Sequence, residues 1–179
     1  LQDMFRWAAV DNFDWLITMD CDEQHEPASI PDFVRMIDQD DSDIISGSRY
    51  AETHPENDMP PKERQAINRQ VTDELHDALG IAITDAFCGF KAYRVPTLDA
   101  FDFDVNGYAF PIQFWVQAAA RKLRITEIPV RMIYNDPNRT FGGQLDDPVK
   151  RLDHYRAVLC NELRKHETLL ELHSASTPC

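Results

Sequence analysis

Two short apolar segments, each preceded by a helical pattern, constrain the fold of this chain more than any other feature. Residues 15–19, WLITM, form a continuous apolar run that is typical of a strand buried on both faces. Residues 43–46, DIIS, form a second run after a helix whose apolar stripe begins at Ile30. Helix followed by strand, twice, predicts an α/β fold in which a mostly parallel sheet is covered by helices.

The rest of the sequence predicts more helices and an outer strand. Between residues 67 and 79 apolar side chains recur at helical spacing and end before Gly80, and residues 110–122 and the segment after Pro148 show the same period. ITEIPVRMIY alternates like a strand, and Pro129 within it fits an edge position. The proline-rich segment AETHPENDMPP predicts a mobile loop.

Length and charge limit the organisation and the partners of the chain. A length of 179 residues, 43% of them hydrophobic, predicts a single domain over residues 1–172 and a disordered tail over residues 173–179. The net charge of −13 opposes broad attraction to nucleic acid, so a phosphate ligand would need local arginines or a metal. The four cysteines are scattered, and the sequence lacks a membrane-length apolar run, which favours a cytoplasmic protein.

Two carboxylates directly follow the first predicted strand. Asp20 and Asp22 lie at its carboxyl end, where open α/β sheets bind their ligands. Carboxylates one residue apart can both reach Mg²⁺ or Mn²⁺, and Gln24 could add a carbonyl oxygen. The alternative is a solvated acidic turn before the next helix. The strand context favours the metal site.

A second polar group follows the second predicted strand. Gly47 permits close backbone approach to a ligand, and Ser48 and Arg49 come directly after it, so we expect them along the same sheet edge and in contact with substrate. Arg64 and Asn68 lie four residues apart on one helix face. With Arg49 they could bind an anion, although Arg49 could equally pair with one of the many carboxylates.

Two further residues are candidates for catalysis. Asp85 precedes a turn at Gly89 and could orient or deprotonate an acceptor, or serve as a turn residue. Arg139 lies in the polar loop before the last helix. It could close over a diphosphate, although most surface loop arginines have no such role.

Five motifs in this order resemble those of the inverting glycosyltransferases of family 2, and most closely the dolichyl-phosphate and polyprenyl-phosphate mannosyl- or glucosyltransferases. WLITMDCDEQHEP is similar to the family's metal-binding strand, DIISGSRY to its second-strand motif, and RQAIN to the helix at the acceptor phosphate. DAFCGFKAYR resembles a later Gly-Phe segment, and ITEIPVRMIY followed by NRTFGG resembles the last strand and its arginine loop. The resemblance covers roughly residues 1 to 160.

The resemblance implies a Rossmann-like nucleotide-diphospho-sugar transferase fold lacking its first strands, and hence an N-terminally incomplete domain with weak donor binding. It implies metal-dependent, inverting transfer of a hexose from a GDP- or UDP-hexose to a polyprenyl (dolichyl-type) phosphate. Asp20, Asp22 and Gln24 would hold Mg²⁺ or Mn²⁺ and the donor diphosphate, which Arg139 would neutralise. The residues implied for the acceptor phosphate are Arg49, Arg64 and Asn68.

Other interpretations stay open. A transferase of the same fold could use a glycan or another hydroxyl as acceptor, with Asp85 as the base. A non-catalytic binding module of this fold is a second alternative. A phosphohydrolase with an Asp-x-Asp nucleophile is disfavoured, because Glu23 and Gln24 stand where a small hydroxyl residue is expected. The resemblance is compatible with peripheral contact at the cytoplasmic face of a membrane and with a homo-oligomer.

Overall fold

A computed structural model describes residues 1–52, 56–136 and 140–170. Their contacts divide them into two compact units. The sheet unit comprises Leu1–Met59, Cys88–Asp102 and Leu123–Asn135, and the helical unit comprises the described residues of Pro60–Phe87, Phe103–Lys122 and Asp136–Cys179. The predicted boundary at residue 172 and the predicted tail lie outside the described residues.

The sheet unit contains a mixed four-stranded sheet and two helices. Its elements are α1 (Gln2–Val10), β1 (Trp15–Thr18), α2 (Ile30–Asp38), β2 (Ile44–Ser48), β3 (Lys91–Arg94) and β4 (Ile125–Pro129). The strand order is β1-β3-β2-β4, with β2 and β4 parallel and β3 antiparallel to both β1 and β2. Three strands therefore share a direction, as predicted, but β3 separates β1 from β2, and the sheet is mixed rather than mostly parallel in its pairing.

The reversed strand brings a turn between the ends of β1 and β2. Lys91 lies opposite Thr18 of β1 and opposite Ser46 of β2. The residues just before Lys91 consequently lie at the edge where β1 and β2 end. The backbone N–H of Gly47 donates to the carbonyl of Phe90 at 2.8 Å, and the Thr18 hydroxyl donates to the carbonyl of Gly89 at 2.9 Å.

Helices cover both faces of the sheet, as the sequence predicts. On one face Phe33 of α2 stacks on Phe90, with ring centroids 4.4 Å apart, in a core that includes Ala92. Tyr93 points to the opposite face, because successive strand residues alternate. There it meets Phe5 of α1 edge-on at 5.0 Å. Burying both faces fixes the register of β3, since a one-residue slip would exchange them.

The outer strand and the loop before the helical unit are joined by hydrogen bonds. β4 pairs with β2 and ends at Pro129, which confirms its edge position. The Asn57 side chain accepts from the N–H of Met132 at 2.9 Å, and Asp58 accepts from the N–H of Tyr134 at 2.8 Å. The composition of residues 51–61 predicts mobility and does not reveal these contacts.

The helical unit is built from α3 (Lys62–Leu79), α4 (Phe110–Ala120) and α5 (Pro148–Lys165). α3 ends at Gly80, as predicted, because that residue adopts a left-handed conformation with φ of 67°. α4 is buried nearly all round, and its Trp115 Nε1 donates to the carbonyl of Ala86 at 2.9 Å. Residues 166–170 form turns, so the last helix ends earlier than the apolar pattern predicts. In the described part of the chain, the helices are too short or too polar to cross a bilayer.

Candidate functional site

The carboxylate of Asp20 lies directly against the backbone of Gly89. A Cβ atom added to Gly89 would come within 2.6 Å of Asp20 Oδ1 and nearer still to Oδ2. Because real Cβ atoms do not approach other heavy atoms this closely, the Asp20 carboxylate occupies space that only a glycine at position 89 leaves. The antiparallel insertion of β3 places this glycine at the end of β1.

The buried imidazole of His25 supports the backbone of Asp20. Its Nδ1 accepts a hydrogen bond from the Asp20 N–H at 3.1 Å, and its Nε2 lies 3.9 Å from Cys88 Sγ. Burial lowers the pKa of His25, and this effect outweighs the opposing effect of the Asp20 carboxylate. A ring nitrogen that accepts a hydrogen bond carries no proton, and an imidazole with one unprotonated nitrogen is uncharged. The hydrogen bond to Nδ1 and the lowered pKa of His25 therefore both indicate a neutral ring.

Asp22 is half-buried in a turn that begins two residues after Asp20. Its Oδ1 accepts from the N–H of Gln24 at 3.1 Å, and its carbonyl accepts from the Asn135 amide at 3.3 Å. Glu23, which lies between Asp22 and Gln24, has a φ of 60°, and such a turn tolerates this value. The turn therefore holds Asp22 by its own backbone and by the segment after β4. The predicted metal contact of the Gln24 side chain stays a prediction.

Arg49 belongs to the same charged neighbourhood as the two aspartates. The carboxylates of Asp20 and Asp22 raise the pKa of His25, whereas the Arg49 guanidinium lowers it. All three groups are therefore near enough to act on this imidazole. Ser48 is buried, and its hydroxyl oxygen accepts from the N–H groups of Tyr50 and Ala51 at 3.1 and 3.0 Å. These hydrogen bonds join Ser48 to the turn that carries Arg49, and its substrate role stays a prediction.

Lys91 and His25 are members of this neighbourhood that sequence reasoning misses as functional residues. Lys91 is 4% exposed, its Nζ donates to the carbonyl of Cys88, and its charge also acts on His25. The sequence feature that could have identified Lys91 is its position at the start of a strand, directly after Gly-Phe. For His25 it is the spacing of five residues from Asp20 inside a polar turn.

The donor set at this edge fits a hard divalent cation that is shared with a substrate. Within the described part of the chain, histidine, cysteine and carboxylate side chains do not gather in groups of three or more that could hold a metal ion. Asp20 and Asp22 supply carboxylate oxygens, the ligands that Mg²⁺ and Mn²⁺ prefer. Mg²⁺ commonly takes one or two carboxylates and completes its shell with water and phosphate oxygens, which matches a pair of aspartates.

In the helical unit, Asn68 and Asp85 bind each other. Asp85 is 0% exposed, and its Oδ1 accepts from the Asn68 amide at 2.8 Å and from the N–H of Phe87 at 3.2 Å. Asn68 Oδ1 accepts from the Thr72 hydroxyl at 3.1 Å. The oxygen of that Thr72 hydroxyl accepts in turn from the N–H of Ala86 at 3.2 Å. These contacts give both side chains a structural role, and their predicted roles at the acceptor stay predictions.

Arg64 lies against an aromatic ring near the start of α3. Its guanidinium carbon is 4.7 Å from the centroid of the Phe141 ring, and that of Arg151 is 4.2 Å from the same centroid. Arg151 also forms an ion pair with Glu63. Arg139, two residues before Phe141, lies outside the described residues. The predicted convergence of Arg49, Arg64 and Arg139 on one anion stays a prediction.

Comparisons with known proteins point to the same family as the motifs. The family model described as glycosyl transferase family 2 matches residues 2–101. An undecaprenyl-phosphate mannosyltransferase of Micrococcus luteus is 31% identical over 152 residues, which cover 81% of this chain and 60% of that protein. A polyprenol monophosphomannose synthase of Mycolicibacterium smegmatis is 26% identical over 129 residues, which cover 70% of this chain and 48% of that protein. The chain thus spans about half to three fifths of these relatives.

A solved structure shows the same fold. The glucosyl-3-phosphoglycerate synthase of Mycobacterium tuberculosis, solved with uridine diphosphate, superposes with a TM-score of 0.56 at 16% identity. The match covers 92% of this chain and 53% of that protein. The predicted transferase fold is therefore confirmed, and the comparison covers both the sheet unit and the helical unit.

Proposed function

The chain belongs to glycosyl transferase family 2, and from this premise we propose that it transfers a hexose from a nucleotide-diphospho-sugar to a polyprenyl phosphate, with inversion and with Mg²⁺ or Mn²⁺. The observation that carries the proposal is the neighbourhood of Asp20, Asp22 and Arg49 around His25 at the end of β1. The names of the two relatives, one of which refers to undecaprenyl phosphate and the other to a polyprenol, support the acceptor class.

Asp20 and Asp22 would hold the cation and the donor diphosphate, and Arg49 would face the oxygens of the acceptor phosphate. Bound there, the cation would neutralise the charge that develops on the departing nucleoside diphosphate. Asp20 is fixed by His25 and Gly89, and Asp22 by its own turn, so both carboxylates are oriented before substrate binds. Such preorganisation lowers the cost of binding, because the protein does not have to reorganise when charge develops.

On the acceptor side, the chemistry needs no strong base. A phosphate monoester has a second pKa near ~6, so at neutral pH its attacking oxygen is largely ionised. That oxygen forms the new bond to the anomeric carbon while the bond from this carbon to the donor diphosphate oxygen breaks. A single displacement of this kind inverts the anomeric configuration. The burial of Asp85 in its contact with Asn68 agrees with a reaction that requires no carboxylate base.

Replacing Asp22 with asparagine tests the metal site. Asp22→Asn keeps an oxygen that can accept from the N–H of Gln24 but removes the negative charge. We expect the dissociation constant of Mn²⁺, measured by electron paramagnetic resonance with saturating nucleoside diphosphate, to rise by about tenfold or more. Glu23→Gln, which removes the same charge from the exposed neighbour, is the control and should leave Mn²⁺ binding unchanged. Equal binding by both variants, or a wild type indifferent to Mn²⁺, would favour a non-catalytic module.

Replacing Asp85 distinguishes the two acceptor classes. Asp85→Asn keeps an oxygen that accepts from the Asn68 amide and removes the carboxylate that could act as a base. We expect kcat for transfer to polyprenyl phosphate to stay within about threefold of wild type. Such a change is smaller than the tenfold change that corresponds to about 1.4 kcal/mol of activation free energy. A transferase that uses Asp85 to deprotonate a hydroxyl acceptor would instead lose about 10²–10⁴-fold. Asp85→Ala is the structural comparison. It should lower the free energy of unfolding by about 1–3 kcal/mol, because the buried Asn68 amide loses its partner.

A further inference from the structure

Buried polar groups from three segments support the backbone behind Asp20. Thr18 donates to the carbonyl of Gly89, Lys91 donates to the carbonyl of Cys88, and His25 accepts from the N–H of Asp20. Each of the three side chains is less than one tenth exposed. They contact main-chain atoms, whereas Asp20 itself is an exposed residue. Their common effect is to fix the peptide groups on either side of that carboxylate.

The contact made by His25 bears most directly on Asp20. A hydrogen bond to the Asp20 N–H fixes the orientation of the peptide that precedes the Asp20 Cα, and hence the direction of its Cα–Cβ bond. The carboxylate at the end of that bond lies in the space beside Gly89. A main-chain rotation at Asp20 would therefore move the carboxylate out of this space.

The ring of His25 is itself held in place by its neighbours. It packs against Phe90 with ring centroids 5.3 Å apart, and Nε2 faces the sulfur of Cys88. Since Cys88 and Phe90 flank Gly89, the same turn that makes room for the Asp20 carboxylate also holds the imidazole. The orientation that directs Nδ1 to the Asp20 N–H is thus set by buried packing and does not depend on a bound ligand.

We propose that His25 is a positioning residue for the cation site, whose Nδ1 holds the main chain of Asp20 so that its carboxylate points to the cation. The proposal rests on the proposed function, since it assumes that Asp20 is a cation ligand. His25 would act through Asp20 and not as a ligand, because its Nδ1 accepts from the Asp20 N–H and its Nε2 faces Cys88 Sγ. Supporting groups of this kind typically change metal affinity by about 10–100-fold when they are removed.

Two amides that mimic different ring nitrogens provide the test. Asparagine places an amide atom near the position of Nδ1, and glutamine places one near the position of Nε2. We expect His25→Ala and His25→Gln to raise the Mn²⁺ dissociation constant by about 10–100-fold, and His25→Asn to stay within about threefold of wild type. His76→Ala, which removes a histidine from the end of α3, is the control and should bind Mn²⁺ like wild type.

A purely structural role would give a different pattern. The thermal midpoints of His25→Asn and His25→Gln should fall by similar amounts, since both remove the buried ring, whereas their Mn²⁺ affinities should differ. Loss of Mn²⁺ affinity in step with the thermal midpoint, with no rescue by asparagine, would overturn the proposal.

Nuclear magnetic resonance tests the hydrogen bond without a metal. Long-range ¹H–¹⁵N correlation at neutral pH should show His25 with its proton on Nε2, and a proton on Nδ1 would overturn the proposal. The metal experiments also separate the two levels of inference. A wild type that does not bind Mn²⁺ overturns the proposed cation site and the role of His25 together. A wild type that loses Mn²⁺ affinity through Asp20→Asn but not through His25→Ala overturns the role of His25 alone.

Discussion

Replacing Gly89 with alanine is expected to weaken Mn²⁺ and nucleoside diphosphate binding by about 100-fold while the chain stays folded. The added methyl group would lie within 2.6 Å of Asp20 Oδ1, so the carboxylate must leave its position. The backbone itself tolerates alanine, because positive φ among the described glycines occurs at positions 80, 107, 142 and 143. Mn²⁺ titration and the circular dichroism spectrum together measure the two parts of the expectation.

A double-mutant cycle with Asp20→Ala identifies the cause of that loss. If alanine at position 89 acts by displacing the Asp20 carboxylate, it should add little to the loss of Mn²⁺ affinity in a chain that already carries Asp20→Ala. Additive losses would show that Gly89 contributes by another route, such as the path of the turn before β3. An unchanged Mn²⁺ affinity in Gly89→Ala would contradict the assignment of Asp20 as a ligand.

Replacing Trp115 with alanine should produce the largest loss of stability, about 3–5 kcal/mol in the free energy of unfolding. Trp115 is fully buried in α4, so its removal leaves a large cavity in the core of the helical unit. It also removes the Nε1 hydrogen bond to the carbonyl of Ala86, the residue after Asp85. Urea denaturation measures the change, provided that the slope with urea stays constant.

Two variants separate the contributions to this loss. Trp115→Phe keeps most of the apolar volume and leaves the Ala86 carbonyl without its indole partner, which should cost about 1–3 kcal/mol. Trp7→Ala changes the same residue type at a site that is 57% exposed and should stay within about 0.5 kcal/mol of wild type. A similar loss from Trp7→Ala and Trp115→Ala would contradict the burial of Trp115.

The sequence predicts elements whose cause is local. The helices follow from apolar spacing, the end of α3 from Gly80, and the edge position of β4 from Pro129. The neighbourhood of Asp20 and Arg49 is also foreseen, since both follow strands that run in the same direction. Local pattern is sufficient for the helices, the end of α3 and the edge strand because each depends on a few consecutive residues, whereas the neighbourhood of Asp20 and Arg49 follows from the common direction of two strands.

Features that depend on distant pairing were not predicted. The direction of β3 is set by its pairing with strands far away along the chain, and nothing in KAYR reveals it. The hydrogen bond between Asn68 and Asp85 joins residues 17 positions apart, so the local sequence around either residue does not reveal the other as its partner. The support of Asp20 by His25 likewise requires a folded turn before the imidazole and the N–H meet.

Because β3 lies between β1 and β2, the site at their ends can form only when β3 pairs with both strands during folding. Thr18 and Lys91, which meet in this insertion, are 73 residues apart, so their encounter carries a large loop-closure entropy and belongs to the slow, non-local part of folding. Until that encounter, Gly89 cannot make room for Asp20, and Phe90 cannot bind Gly47. An intermediate with its helices already formed would therefore carry both aspartates without a preorganised cation site, and metal affinity would report on completion of the sheet.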